Sequence, residues 1–366
     1  MRVIFSGGGT GGHINPAISI ADYAKSQDNE FEALFIGTER GLEKKLVPQA
    51  GYDIKFIDIA GFNRKNLLKN VSVIKKLIKS RLDCRRIIRD FKPDCVVCTG
   101  GYVSGPVIMA AAKEGVPSLI HEQNVYPGLT VKGSEKYVDY VAVSFDGTVD
   151  IMKQKEKCVV TGNPIRGQIL SADKASAREK LGIDKPFVLV FGGSLGAERI
   201  NETVVNILPK IKENGKIKLL FGTGERNYDA VVNAAKAAGA ELGGDIEIVP
   251  YIDNMAEVMA AADVVISRSG AITVSEIAAL GKPSVLIPSP NVVRNHQEQN
   301  AREFEKNSAA LVITEAELTD DLLYTTLTEL LSDSERLENM SQNLKKMARV
   351  DALEKIYELM IKMSKR

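Results

Sequence analysis

The stretch Val3-Ile4-Phe5-Ser6-Gly7-Gly8-Gly9-Thr10-Gly11-Gly12-His13 decides the fold. Its apolar start reads as a short strand, and the amphipathic run Pro16–Ser26 reads as a helix. Between them lie six small residues, more than a tight turn needs. Glycines let a phosphate approach the backbone, and the N–H groups and dipole of the following helix favour an anion. Gly7, Gly9 and Gly12 satisfy the G-x-G-x-x-G pattern, although the acidic residue expected after the second strand, Glu39, comes 27 residues after Gly12. The device recurs. Phe187–Phe191 reads as a strand and runs into Gly192-Gly193-Ser194-Leu195-Gly196-Ala197. The same loop after the first strand of each half predicts two similar doubly wound parallel-sheet α/β domains. Ligands bind outside the carboxyl ends of such sheets, so the expected site is a central cleft that the two domains face.

Working outward, strands are expected at Ala33–Gly37, Ile54–Ile59, Cys95–Thr99, Pro117–His121, Tyr140–Val143 and Cys158–Thr161. The second half adds Lys218–Phe221, Ile246–Val249, Val264–Ser267, Ser284–Pro288 and Ala309–Ile313. Helical patterns alternate with them, which means βαβ units and a parallel sheet. The turn cluster Thr161-Gly162-Asn163-Pro164 sets the expected boundary. The expected parts are 1–163, 164–340 and a helical segment 341–366, which could pack back on the first domain although the sequence alone does not show it.

The chain has 366 residues, enough for two domains, and a formal net charge of +1. That near-neutrality argues against a nucleic-acid binder. The charge is uneven: residues 1–163 carry 23 Lys/Arg against 18 Asp/Glu, and residues 164–366 carry 25 against 29. Most of the excess lies in 61–92, with eleven Lys/Arg and two Asp. Leu67, Val71, Ile74, Ile78 and Leu82 recur there at helical spacing, so the segment reads as an amphipathic helix with its apolar stripe packed on the sheet. Its basic face is of the kind drawn to anionic lipid headgroups. The strand-like start argues against a signal peptide, and no run of about 18 apolar residues exists to span a bilayer. Cys95 and Cys98 form C-x-x-C inside a buried strand, where they point to opposite faces and could not share a metal. A reducing cytosolic compartment is expected.

His13 follows the first loop at a helix start, where the imidazolium is disfavoured. A neutral ring there is a candidate general base. His121-Glu122-Gln123-Asn124 follows a strand and reads as a polar site rim. His296 sits in a third polar run, and a three-histidine metal site would need distant segments to converge. Ser267-Arg268-Ser269-Gly270-Ala271-Ile272-Thr273-Val274-Ser275-Glu276 reads as strand end, turn and helix start, a second phosphate site. Glu276, one and a half turns in, could hold a vicinal diol such as that of a ribose.

These motifs resemble the MurG-type N-acetylglucosaminyltransferases. The shared runs are GGGTGGH at 7–13, GGYVSGP at 100–106, HEQN at 121–124, GNP-x-R at 162–166, GGS-x-GA at 192–197, SRSGAxTVSE at 267–276 and NHQ-x-x-NA at 295–301. The resemblance covers nearly the whole chain. It implies the GT-B fold and inverting, metal-independent transfer of GlcNAc from UDP-GlcNAc to the MurNAc 4-hydroxyl of lipid I, giving lipid II. It implies no cofactor, and a peripheral position on the cytoplasmic face of the cell membrane. Carried over by residue, Thr10, Gly11 and Gly12 would lie by the donor and the acceptor diphosphate, and His13 would be the base. Asn124 would contact the donor sugar, Arg166 and Ser194 the nucleotide diphosphate, and Ile252 the uracil. Ala271, Ile272, Thr273, Val274 and Ser275 would bind phosphate, Glu276 the ribose, and Gln297 the sugar hydroxyls with His296 beside it. The membrane-facing residues would be Arg64, Lys65, Lys69, Lys75, Lys76, Lys79, Arg85, Arg86 and Arg89. Leu195 and Val131 depart from the family pattern, where Gln and Asn are frequent. A nicotinamide-dependent oxidoreductase, another GT-B transferase such as one acting on diacylglycerol, and a non-catalytic UDP-sugar sensor are the competing readings.

Overall fold

The structure, a computed structural model, describes residues 1–59, 70–193 and 196–365. The chain divides into two compact units, residues 1–165 with 349–366, and residues 166–348. The expected divisions were at 163/164 and 340/341. The second shift has a packing reason. The helix Ser334–Met347 belongs wholly to the second unit: Met340 joins that unit's core, and Ser341 and Lys345 close over Gly281.

The first unit is a seven-stranded sheet of β1 (Arg2–Gly7), β2 (Glu32–Gly37), β3 (Asp53–Phe56), β4 (Cys95–Gly100), β5 (Ser118–Glu122), β6 (Tyr140–Val143) and β7 (Cys158–Val160). The order is β3-β2-β1-β4-β5-β6-β7, parallel throughout. Both faces are apolar because both are covered. Ile4, Val96, Cys98, Ile120 and Val141 enter one core; Val3, Phe5, Cys95, Val97, Leu119 and Ala142 enter the other. Cys95 and Cys98 thus lie on opposite faces, and all four cysteines are free. The terminal helix Ala352–Ser364 returns to this unit. It buries Ile356, Leu359, Met360 and Met363 against the helix Gly11–Gln27 side of the sheet. Each such side chain contributes about 1.5–3 kcal/mol before the entropy of ordering is subtracted.

The second unit repeats the winding with β8 (Phe187–Phe191), β9 (Lys218–Gly222), β10 (Ile246–Val249), β11 (Val264–Ser267), β12 (Ser284–Leu286) and β13 (Leu311–Val312). The order is β10-β9-β8-β11-β12-β13, again parallel. In each sheet the strand order reverses at the first strand, between β1 and β4 and between β8 and β11. Those crevices are where a doubly wound sheet binds ligands.

Two local readings are corrected. The first helix begins at Gly11, not Pro16, so Gly11, Gly12 and His13 form its first turn, with extended Thr10 as the N-cap accepting from the N–H groups of His13 and Ile14. Of the expected apolar stripe of the basic helix, Asn70–Phe91, Leu67 and the side chains of Val71 and Ile74 lie outside the described residues, and Ile78 and Leu82 do not pack on the sheet: they are 57% and 56% exposed. The packed face is Leu77, Ser80, Cys84, Ile88 and Phe91, rotated one residue from the expected one. Both faces carry apolar residues at helical spacing, so periodicity alone could not choose between them.

Candidate functional site

At the first switch point the glycine loop is held from below. Gly9 has a φ of +90°, and its N–H donates to Glu43 Oε2 at 3.1 Å. Glu43 is fully buried and also accepts from the backbone N–H and hydroxyl of Thr38, at 2.9 and 2.7 Å. Gly101 at φ +80° passes so close to Gly8 that a Cβ would strike its carbonyl. No side chain caps the helix that starts at Gly11, and no acid lies in its first turn. Its N–H groups and dipole face outward beside exposed Thr10 and Gly12, which is the chemistry of an anion site.

His13 sits on this turn. Its Nδ1 is 3.0 Å from the Thr99 carbonyl and 3.0 Å from Gln123 Oε1, and the Thr99 hydroxyl donates to the His13 carbonyl at 2.6 Å. Nε2 has no hydrogen-bond partner among the described residues. The ring lies against Gly100 (φ +102°), where a Cβ would come within 3.0 Å of Nδ1.

The rim reading of 121–124 is corrected. His121, Glu122 and Gln123 are buried, and only Asn124 is half-exposed. Polar side chains persist in this core because each is bonded. Glu122 accepts from the backbone and side chain of Asn124 at 2.9 and 3.1 Å and from the Gly128 N–H at 2.7 Å, so it fixes the loop that presents Asn124. Burial pushes the His121 pKa down to about 4. Val131 is a buried core residue.

At the second switch point the helix Ala271–Leu280 begins after Gly270, again with no side-chain cap and no acid in its first turn. Among Ala271 to Ser275, the N–H groups of Ile272 and Thr273 precede the first intrahelical bond and face any anion there. Val274 does not join them: its N–H donates to the Gly270 carbonyl at 3.0 Å and its side chain is fully buried. The Ser275 hydroxyl donates to the Ala271 carbonyl at 2.9 Å. Buried Ser269 ties this turn to the next segment, donating to the Gln297 carbonyl at 2.8 Å, and Gln297 Oε1 accepts from the Ser289 N–H at 2.9 Å. His296 Nδ1 lies 2.9 Å from the Val293 carbonyl. Arg294 and Asn295, just before them, have φ of +57° and +53°, two strained residues of the kind that persist at ligand sites.

Glu276 is brought to Arg166. Its Oε1 accepts from Nε at 3.1 Å and Nη2 at 3.0 Å, with the carboxylate side chain 6% exposed and the guanidinium side chain 53%. Burial raises the Glu276 pKa and the arginine opposes that rise. Ile252 is buried against Gly222 at the end of β9. Ser194 and Leu195 lie outside the described residues, as do Arg64, Lys65, Lys69 and the side chain of Lys75. Of the remaining basic set, Lys76 pairs with Asp58 at 2.8 Å, and Arg85 and Arg89 both pair with Glu114, at 2.5 and 2.7 Å. Lys79, Arg81 and Arg86 are exposed and carry no ion pair among the described residues. No group of three His, Cys, Asp or Glu among the described residues could hold a metal ion, and no described helix is long and apolar enough to cross a membrane.

Glu43 and Gln123 escape a sequence reading. Glu43 looks like an ordinary acid at a helix start, and Gln123 like one more rim amide. Only the parallel pairing of β1 with β2 and β4, and of β4 with β5, carries them to the loop and to His13.

Two Rossmann-like domains, each with a glycine turn and an uncapped helix start at its switch point, are the architecture of the GT-B fold. Residues 3–143 match the glycosyltransferase family 28 N-terminal domain, and residues 187–356 match the glycosyltransferase family 28 C-terminal domain. A relative from Acetivibrio thermocellus, the UDP-N-acetylglucosamine–N-acetylmuramyl-(pentapeptide) pyrophosphoryl-undecaprenol N-acetylglucosamine transferase, is 48% identical over 98% of this chain and 97% of its own. One of the same name from Alkaliphilus metalliredigens is 45% identical over the full length of both. The crystal structure of Acinetobacter baumannii MurG superposes with a TM-score of 0.80 at 28% identity, covering 99% of each chain. The chain belongs to this family, the MurG-type N-acetylglucosaminyltransferases.

Proposed function

We propose that this chain moves N-acetylglucosamine from UDP-GlcNAc to the 4-hydroxyl of the MurNAc in undecaprenyl-pyrophosphoryl-MurNAc-pentapeptide, lipid I, and so forms lipid II. The observation that carries this reading is full-length identity of 43–48% to relatives whose names state that transfer. The geometry supplies a chemistry for it. His13 Nε2, unpaired among the described residues, takes the proton of the acceptor hydroxyl as its oxygen attacks the anomeric carbon. The bond from that carbon to the β-phosphate oxygen breaks, and the electron pair leaves with UDP. One displacement from the opposite face inverts the anomeric centre.

Charge developing on the leaving diphosphate meets the N–H groups at the start of Ala271–Leu280, the 192–197 loop with Ser194, and Arg166. Glu276 Oε2, which has no partner among the described residues, accepts from the ribose diol. Ile252 flanks the uracil, and Asn124, His296 and Gln297 face the sugar. Thr10, Gly11 and Gly12 receive the acceptor diphosphate. Under this reading the backbone and Arg166 do the work a metal does elsewhere, and no cofactor takes part.

The acceptor is a lipid, and the exposed Ile78 and Leu82 beside Lys79, Arg81 and Arg86 suit a peripheral contact with an anionic membrane on its cytoplasmic face. Incubation of labelled UDP-GlcNAc with a lipid I analogue, with and without EDTA, tests the whole reading. Product with an inverted linkage, formed equally in both, is the expected result. Absence of product, or its loss with EDTA, overturns the transfer or its metal independence respectively.

A further inference from the structure

We infer that Gln123 and His121 are positioning residues for the proposed base, forming a buried relay that locks His13 in the tautomer with its proton on Nδ1 and its lone pair on Nε2. This rests on the reading of His13 as the base. The argument begins from groups whose roles are fixed. Backbone carbonyls only accept. The Gln123 Nε2 lies 2.8 Å from the Thr99 carbonyl and 3.3 Å from the His121 carbonyl, so that end of the amide must be the NH2. The opposite end, Oε1, therefore faces His13 Nδ1 at 3.0 Å as an acceptor. The Thr99 carbonyl is a second acceptor at 3.0 Å from the same nitrogen. Two oxygens converge on Nδ1, and both demand a hydrogen there. In a neutral ring the lone pair is then on Nε2.

The chain continues one residue further into the core. Gln123 Nε2 also donates to His121 Nδ1 at 3.0 Å, so that nitrogen carries a lone pair. His121 Nε2 must carry the hydrogen, and it points at the Gly162 carbonyl 2.9 Å away, a pure acceptor. Every assignment agrees with its neighbours. Reversing the Gln123 amide would set an N–H against Nδ1–H of His13 and an oxygen against two carbonyls. His121 is fully buried and stays neutral because burial opposes its charge, which keeps Nδ1 available to accept. The Ser144 hydroxyl and the Asn163 amide close the network: Ser144 Oγ lies 2.7 Å from the Glu122 carbonyl and 2.8 Å from Asn163 Oδ1, two acceptors that share its single hydrogen, and Asn163 Nδ2 donates to the Gln123 carbonyl at 3.0 Å. A general base in the wrong tautomer presents an N–H to the proton it should remove, so the relay raises the fraction of His13 that can act.

The test is a two-bond proton–nitrogen correlation spectrum of the full chain with ¹⁵N-labelled histidine, taken where the rings are neutral. The chain has three histidines, so assignment by single substitutions is direct. The expected wild-type spectrum shows His13 protonated at Nδ1 and His121 at Nε2. His13 protonated at Nε2 would overturn the inference, and this reading needs no variant to fold. Gln123→Met should convert His13 to a mixture of tautomers and lower turnover roughly 10- to 100-fold, with the donor KM within about 2-fold of wild type. Loss of turnover in Gln123→Met with the wild-type tautomer unchanged would mean a merely structural role and would also overturn it. Full turnover by His13→Ala, with the wild-type tautomers as expected, would instead remove the base assignment itself.

Discussion

Removing the Glu276 carboxylate should weaken donor binding by an amount the structure sets. Oε1 is already engaged by two donors of Arg166, and Oε2 is free of partners among the described residues. One ribose hydroxyl can therefore bond Oε2 without displacing the arginine. A hydrogen bond to a charged group contributes about 1.5–3 kcal/mol, which is roughly 10- to 150-fold in affinity. The second hydroxyl must share Oε1 with Arg166 and adds less. Glu276→Ala should thus raise the Kd for UDP by roughly 10- to 150-fold, measured by calorimetric titration. The decisive control is the 2′,3′-dideoxy analogue of UDP, which has no diol. If the carboxylate binds the diol, the same substitution leaves the analogue's affinity nearly unchanged. Equal losses for UDP and the analogue would refute the reasoning and reduce Glu276 to an anchor for Arg166. The pH dependence has a fixed sign. Burial raises the Glu276 pKa, so UDP affinity falls as acidification protonates the carboxylate, starting at a higher pH than an ordinary glutamate would set.

Four further outcomes follow from the same geometry. His13→Ala should lower turnover about 10²- to 10⁴-fold with donor binding intact, and near-full turnover in a single-turnover assay would refute the base role. Gly100→Ala places a methyl within 3.0 Å of His13 Nδ1 at a φ of +102°, so it should cost activity and about 1–3 kcal/mol of stability in denaturant unfolding; an unchanged midpoint would contradict the close approach. Replacing Lys79, Arg81 and Arg86 together by Gln spares the Asp58 and Glu114 pairs and should weaken binding to phosphatidylglycerol vesicles by about 100-fold at low salt, at ~1 kcal/mol per charge near the surface; equal binding would remove this face from the membrane contact. Buried Lys282 donates to the carbonyls of Ala260 and Ala262, and burial lowers its pKa to about 7. A depressed folded pKa means the native state binds fewer protons between about 7 and 10.5, so stability rises with pH across that window. Lys282→Met should abolish that rise, and a persistent slope would show another group is responsible.

Where the two loops fall in the chain was legible because glycine's lack of a Cβ is a local property. Gly7 to Gly12 and Gly192 to Gly196 mark switch points whatever surrounds them. The same holds for the strands: β6, β8, β10 and β11 start and stop where the apolar runs do. Burial of polar residues was not legible. His121, Glu122 and Gln123 read as a surface rim because a lone polar side chain is costly inside, and nothing local reveals that each finds a partner there. Rotation of the basic helix was equally hidden, since Ile78 and Leu82 differ from Leu77 and Ile88 only in what lies opposite.

By itself the sequence determined two parallel-sheet domains, their phosphate-type turns, and the family to which the residues belong. Each follows from short-range chemistry: φ freedom at glycine, apolar runs the length of a strand, and helix starts without an acid. Tertiary structure alone decided which N–H groups remain for an anion, that Glu43 holds Gly9 and Arg166 holds Glu276, and which nitrogen of His13 faces out. Those outcomes depend on partners 34, 110 and 86 residues away along the chain. A hydrogen bond across such a distance is set by the pairing of β1 with β2 and β4 and by the packing of the short helix Gly167–Leu170 on Ala271–Leu280, not by any pattern a local window contains.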